Sequence, residues 1–475
     1  MSVQPQTPLP RRRTHRLLVA TLLVVTTLTT ACSAILDQVG LRGLAQSIVA
    51  TPYVSLNEPT PTPVPAGIST AALVKLRSRL RVGIRFDAPP LASVNQAGEI
   101  EGLDVDMARE LARRWLGSER NVDFIQVTST SAARRMKNRE LDLALGGLAT
   151  TRAADQMADF SIPYFTDGEA LLIRTGTYAD FASMAGKDVI YIDAQSLPAL
   201  GAGQVAANIT VTFRSEVSYP NALKALTDGQ TEGVVGRWRR FRTLTQRDPA
   251  YTTLTVFSQE PVAIMLPQND SQWADLVNLT LSAMVEDGFY ASAYQKWFGV
   301  APDLVRTSPG AVPPVLAQLA DSIASVNTME RIKANNGVRI GFVARNDAAN
   351  ILSGLDENAE PAGLEVDLSR DIAQRILPGN ATTFVPIQAD QIQQALATGS
   401  IEMVIGGIQR TGPNEQAWDF SAATVPDRAL AQFGNVPIGI ALPMNDSTFH
   451  DAVNAALDDM RSDGTYDTIV TLWLP

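Results

Sequence analysis

The chain has 475 residues, 45% hydrophobic and 19% charged, a globular balance that excludes a disordered or fibrous protein and leaves room for two or three domains. Its one cysteine, Cys32, can make neither an intramolecular disulfide nor a multi-thiolate metal site. Two histidines, His15 and His450, are too few for a zinc site built on several imidazoles and leave a Ser-His-Asp triad only one to draw on. No metal and no cofactor is expected.

The first segment carries Arg11, Arg12, Arg13 and Arg16 ahead of an apolar run from Leu17 to Ala31. That run is 15 residues long, short of the ~20 that a membrane-spanning helix needs, so residues 1–31 read as a signal peptide. Leu28-Thr29-Thr30-Ala31-Cys32 resembles a bacterial lipobox, although the usual leucine three residues before the cysteine is here Thr29. The resemblance implies lipidation of Cys32 as the new N-terminus; the alternative is an ordinary signal peptide followed by an incidental thiol. Removing the first 31 residues takes the net charge from −10 to −14, which repels nucleic acid and anionic lipid. Residues 32–74 form a stalk, amphipathic at first and then rich in Pro and Thr, the composition of an extended spacer. No later stretch is apolar enough to cross a membrane. The expectation is an extracytoplasmic protein tethered by lipid to the outer face of the cytoplasmic membrane, with no nucleic-acid partner.

Beyond the stalk the chain repeats itself. Leu80-Arg81-Val82-Gly83-Ile84 is echoed by Val338-Arg339-Ile340-Gly341-Phe342, and Gly102-Leu103-Asp104-Val105-Asp106 by Gly363-Leu364-Glu365-Val366-Asp367. Leu141 to Gly147 matches Ile401 to Gly407, and Asp159-Phe160-Ser161 matches Asp419-Phe420-Ser421, at offsets of 258 to 261 residues. The offset then drops to 176: Leu266-Pro267 with Asn269-Asp270-Ser271 pairs with Leu442-Pro443 with Asn445-Asp446-Ser447, and Trp297 pairs with Trp473. The second copy has lost one block of about 84 residues.

Within copy one, strands are expected at 81–85, 122–127 and 141–145 and helices at 105–115 and 132–137, an alternation that predicts a parallel sheet with helices on its faces. Asp104 and Asp106 are expected to shape the turn into the first helix. The apolar runs Ala170 to Ile173 and Val262 to Leu266 bracket a second set of strands and helices, including Val189 to Ile192 and Gly233 to Val235. In copy two the corresponding runs, Ala429 to Gln432 and Pro437 to Leu442, are joined only by the hairpin-sized loop Phe433-Gly434-Asn435-Val436.

The strand Leu80 to Ile84 with Arg85-Phe86-Asp87-Ala88-Pro89-Pro90, the Gly-Leu-Asp-Val-Asp motif, Asp142 before the Gly-Gly strand end, Asp159-Phe160-Ser161-Ile162-Pro163-Tyr164 and Asp287-Gly288-Phe289-Tyr290 together resemble the family-3 extracytoplasmic solute-binding proteins of amino-acid ABC importers. The resemblance implies an α/β type II periplasmic-binding-protein fold. A two-lobed domain at 75–300 (lobe one about 75–168 and 267–300, lobe two about 175–260) would be followed by a linker at 301–324. A single-lobe half copy at 325–475 would come last. Lacking an opposing wall, the half copy cannot clamp a ligand by lobe closure. It is expected to cover part of copy one or to make a dimer contact.

The resemblance places the ligand contacts at Arg85, Phe86 and Asp87, at Gly147, Ala149, Thr150, Thr151 and Arg152, and in lobe two at Gln195, Ser196 and Arg237. Several depart from the family pattern. The arginine that forks onto the ligand carboxylate, three residues after Thr151, is here Ala154, and in copy two the position is Asn414. Arg152 comes two residues early, about 200° around a helix. The lobe-two aspartate facing the ammonium is replaced by Arg237, and of the carboxylate-binding turn Ala194-Gln195-Ser196 only Ser196 keeps its type. Two readings remain: a changed ligand, such as an acid without an α-amino group, held by Arg85, Arg152 and Arg237, or a degenerate cleft whose arginines are solvated. Thr150 and Thr151 either cap a helix or meet the ligand, and Phe86 either stacks on it or belongs to the core. The partners implied are a small polar or acidic solute, an amino acid or related carboxylate, and an ABC permease or a membrane sensor. An enzyme is not expected from a cleft with no histidine and no evident carboxylate pair. The cation-aromatic run from Arg237 to Arg242 reads as a solvated helix face. Gly201-Ala202-Gly203-Gln204-Val205-Ala206 lies too far from a strand to be a dinucleotide-binding turn.

Overall fold

The run Leu80–Ile84 is the central strand of the first lobe, hydrogen-bonded in parallel to Val122–Gln126 on one side and Leu143–Leu145 on the other. Met265–Leu266 and Asp159–Phe160 extend the sheet antiparallel, giving the order 122–126, 80–84, 143–145, 265–266, 159–160. The computed structural model describes residues 67–475 apart from 193–195, 217, 304, 306, 347, 380 and 475. Cys32, the expected signal peptide and the Pro/Thr-rich stretch lie outside the described residues, as does Gln195. No helix among the described residues is long and apolar enough to cross a membrane.

Lobe one begins with the helix Thr70–Arg77, capped by the Ser69 hydroxyl. Its main helix, Leu103–Leu116, buries Leu103, Met107, Leu111 and Ala112 against the sheet and the helices Ser271–Glu286 and Phe289–Phe298. Trp273 is fully buried there and donates from Nε1 to the Asp142 carbonyl at 2.9 Å. Lobe two is a second five-stranded sheet in the order 212–215, 188–191, 233–237, 169–174, 251–256, with apolar clusters on both faces. The strands Phe165–Asp167 and Glu260–Val262 pair antiparallel as the two crossings between the lobes. The glycine-rich string at 201–206 lies inside the helix Leu197–Ala207.

The half copy repeats lobe one strand for strand: 381–386, 337–342, 403–405, 441–442, 419–420. Where copy one inserts lobe two, the half copy has the 3₁₀ helix Asp427–Phe433. The sequence suggested two apolar runs bridged by a hairpin-sized loop; instead Ala429, Leu430 and Phe433 drive the first run into the half copy's core as a helical turn.

The repeated motifs mark hydrogen bonds made twice. Asp142 accepts from the Arg81 amide at 2.7 Å, and Glu402 from the Arg339 amide at 2.7 Å. The Asp104 carboxylate, fully buried in the first helical turn, accepts from Gly146 N at 2.7 Å and Gly147 N at 3.1 Å. Glu365 does the same for Gly406 N and Gly407 N at 3.0 and 2.6 Å. This draws the Gly-Gly strand end against the helix start, an approach so close that a Cβ on Gly146 (φ +113°) would lie 2.6 Å from the Arg85 nitrogen. Trp297 Nε1 donates to Asp106 and Trp473 Nε1 to Asp367, each at 2.8 Å. Asp367→Ala would leave the Trp473 donor without its acceptor, and is expected to cost about 1 kcal/mol in urea unfolding.

The two copies meet through their Leu-Pro-x-Asn-Asp-Ser loops in a reciprocal exchange. Ser447 N donates to Asn269 Oδ1 and Ser271 N to Asn445 Oδ1, both at 2.9 Å. Asn269 N donates to Ser447 Oγ and Asn445 N to Ser271 Oγ, both at 2.7 Å. The two serine hydroxyls then donate across the contact, Ser271 to Asp419 at 2.8 Å and Ser447 to Asp159 at 2.7 Å. The half copy thus packs against copy one about a local two-fold relation, and Ser308 of the linker donates to Glu415 of the half copy at 2.9 Å.

Candidate functional site

The cleft between the lobes of copy one is bordered by the segment after Ile84, the segment after the Gly-Gly pair, the two crossing strands and the start of the helix Trp238–Arg247. Arg85 pairs with Asp87, Nε to Oδ1 at 3.0 Å, which holds the Asp87 carboxyl below its ordinary range against the opposing effect of burial. Phe86 packs beside Ile84, Ala92 and Val105. Gly147 donates to Asp104, and Ala149 forms a β-bridge to Val262. Thr150 donates from both N and Oγ1 to the Pro261 carbonyl, at 3.1 and 3.3 Å, tying the segment to a crossing strand. Thr151 caps the short helix Arg152–Asp155, its hydroxyl accepting from Ala154 N at 3.3 Å.

On the lobe-two side, Arg237 Nε lies 3.1 Å from Glu169 Oε1 and Arg237 Nη1 donates to Glu260. The buried Ser196 hydroxyl donates to the other Glu169 oxygen at 2.5 Å. Burial works to lower the Arg237 guanidinium, but Glu260 and Glu169 hold it above its ordinary value. Burial raises Glu169, partly opposed by Ser196 and Arg237. With one cation between two carboxylates this corner is net negative, although its most visible residue in the sequence is an arginine.

Arg152 turns away from the cleft and pairs bidentately with Asp459 of the half copy, at 2.7 and 3.1 Å. The structure therefore brings Ser196 and Arg237 together, with Arg85 and Asp87 opposite, and carries Arg152 to the copy–copy contact.

The run from Arg237 to Arg242 is not the solvated helix face expected of it. Arg239 is buried in an ion pair with Asp167, their side chains 5% and 3% exposed. Arg242 pairs with Asp303 at 2.6 Å and lies over the rings of Trp238 and Tyr294. Arg240 reaches across from lobe two to donate to the Asp87 carbonyl at 3.1 Å, its guanidinium 5.3 Å from the Tyr219 ring centre. Burial, reinforced by the neighbouring charge of Arg239, lowers the Arg240 guanidinium below its ordinary value. Among the described residues Arg240 forms no ion pair, so it is a half-buried cation at the lobe junction whose nearest favourable charge, Asp87, only partly offsets the effect of burial. Its position on the helix was readable from the sequence but its orientation was not; the alternation of cations with aromatic rings was the available signal.

The sequence pattern of the bacterial extracellular solute-binding proteins, family 3, matches residues 80–300 and again residues 338–475, about the two copies just described. The chain belongs to that family. Among relatives of this family-3 solute-binding protein, the glutamine-binding protein of Geobacillus stearothermophilus is 29% identical over 206 residues, 43% of this chain and 78% of its own length. The ABC transporter glutamine-binding protein of Bacillus subtilis is 26% identical over 235 residues, 49% of this chain and 86% of its own. A polar amino acid ABC uptake transporter substrate-binding protein from Streptococcus thermophilus is similar at 19% identity, with a TM-score of 0.43 over 49% of this chain and 90% of that one. The first two relatives are glutamine-binding proteins, the second of them of an ABC transporter, and the family is extracellular.

Proposed function

We propose that the cleft of copy one binds a free amino acid or closely related carboxylate and presents it to an ABC permease. The observation that carries this reading is Arg240, a half-buried cation at the lobe junction that forms no ion pair among the described residues and suits a ligand carboxylate. The net-negative corner of Glu169, Glu260 and Arg237 suits an ammonium group, in place of the aspartate the family places there. Thr150 and Thr151 with Arg85, Phe86 and Asp87 would border the ligand from lobe one, and Ser196 from lobe two. The protein would work outside the cytoplasm, attached through lipid on Cys32. The grounds for that attachment are the basic segment, the short apolar run and the single cysteine that ends it.

Thermal unfolding against glutamine, arginine, other amino acids and dicarboxylates tests the reading. A ligand at ~100 times its dissociation constant adds about 2.7 kcal/mol, several degrees of Tm for a domain of this size. The shift is expected for at least one amino acid and is expected to vanish in Arg240→Met. A panel with no response would refute amino-acid binding. A second reading, a sensor or interaction protein with no transported ligand, is favoured by the internal pairing of Arg85, Arg152 and Arg237.

A further inference from the structure

Both charged ends of the short helix that follows the ligand segment are held by the half copy. At its start, Arg152 forks onto Asp459. At its end, Asp155 lies beside Asp451 and His450, and burial followed by the Asp451 charge raises the Asp155 carboxyl. The His450 ring is fixed in turn by the Phe420 carbonyl, 3.0 Å from Nε2, and by Asn454 at 3.3 Å.

The helix Arg152–Asp155 buries none of its residues. The segment lines a cavity of ≈ 1060 Å³ between the copies, bounded by Thr150, Thr151 and Asp155 of copy one and by Asp451 and Asp458 of the half copy. Its ties to copy one are the Gly147 bond to Asp104, the Ala149 bridge to Val262, the Thr150 bonds to Pro261 and the bond from Gln268 Nε2 to the Asp155 carbonyl at 3.2 Å. A four-residue helix whose one packed side chain is the partly buried Ala154 takes much of its position from polar tethers, and those that hold its charged side chains belong to the half copy.

We propose that the half copy is a positioning element for the cleft of copy one: Asp459 acting through Arg152, with Asp451 and His450 acting through Asp155, holds residues 147–155 in the geometry that meets the ligand. This rests on the binding function proposed above and gives the half copy, which has no second lobe, a part in it. Asp459, Asp451 and His450 touch no ligand; they act through copy one.

Two readouts on the whole protein test this. The first needs no ligand: hydrogen exchange of the amides at 147–155 is expected to quicken several-fold in Asp459→Arg, which sets two cations against each other, and to return to the wild-type rate in the exchanged pair Arg152→Asp with Asp459→Arg. The second is the dissociation constant of the amino acid that most raises the wild-type Tm. It is expected to weaken about three- to tenfold in Asp459→Arg and to recover within about twofold in the exchanged pair, as for a coupling carried by one ion pair. Asp459 is about half exposed, so the variants are expected to fold, and Asp459→Asn provides a milder perturbation. Unchanged exchange at 147–155 in a folded Asp459→Arg protein would overturn the inference, as would unchanged affinity. If the wild type binds no amino acid, the binding function fails by itself, and the exchange arm still decides whether the half copy orders the segment.

Discussion

Arg239→Met is expected to lower the unfolding free energy by about 3–5 kcal/mol, the cost of leaving one member of a buried ion pair behind. Asp167 would remain beneath the helix Trp238–Arg247 with the Arg239 backbone amide, 3.0 Å from Oδ1, and the more distant Arg237 cation to answer its charge. The pair sits where the chain crosses between lobes: Asp167 ends the crossing strand Phe165–Asp167 and lies opposite Glu260 of the other crossing strand. The double variant Arg239→Met with Asp167→Asn keeps an oxygen for the backbone amide and removes both charges, and is expected to recover most of the loss, since the net worth of a buried pair is small. Urea unfolding of the three proteins decides it. A single variant that loses less than about 1 kcal/mol would mean that Asp167 finds water or another cation when Arg239 is removed.

That ion pair also marks the limit of what the sequence discloses. The strands and helices of lobe one, their recurrence in the half copy and the missing block were legible because each motif secures a specific hydrogen bond. Asp104 with Glu365 on the Gly-Gly amides and Asp106 with Asp367 on the tryptophans are such bonds, and bonds of this kind keep their spacing when a domain is duplicated. The arginine run after Gly236 was not legible in the same way. Helical spacing sorts residues onto faces, but whether a face meets water or a second lobe depends on contacts distant in the chain, such as Asp167 72 residues before Arg239. Arg152 was misdirected for the same reason, since its partner Asp459 is 307 residues away. The Leu-Pro-x-Asn-Asp-Ser loops were visible as a repeat. That the two loops bond to each other follows only from the two-fold packing of the copies. Of the candidate site, the segments were therefore readable, whereas the charge balance around Arg237 needed Glu169 and Glu260 brought in from the crossing region.

The contact between the copies is expected to make the protein more stable in mild acid than in base, by about 3 kcal/mol or more between pH 5 and pH 9. Asp159 and Asp419 face each other's serines across that contact, with Asp155, Asp451 and His450 beside them and Asp275, Glu415 and Arg410 on the related side. Burial pushes Asp419 up to about 6 and Asp159 up to about 8, with the nearby carboxylates adding to the rise. His450 is pushed up to about 9, the opposing effect of burial overcome by Asp451 and then by Asp159 and Asp419. All three groups hold their protons more tightly folded than unfolded, so their contribution is fully present below the unfolded values. For the carboxyls it is lost as pH rises through about 6 to 8, and for His450 as pH rises through about 9. A rise of two pKa units in a single group is worth roughly 3 kcal/mol, so the trend does not require every group to act. Asp159→Asn keeps an acceptor for the Ser447 hydroxyl and removes one of the charges that must otherwise be buried at high pH. It is expected to leave Tm little changed at pH 5 and to raise it by several degrees at pH 8 to 9, flattening the profile. If the wild-type Tm were instead highest above pH 8, the carboxyls between the copies would have to be ionised and solvated, and the paired serines could not be holding the two copies in a dry contact.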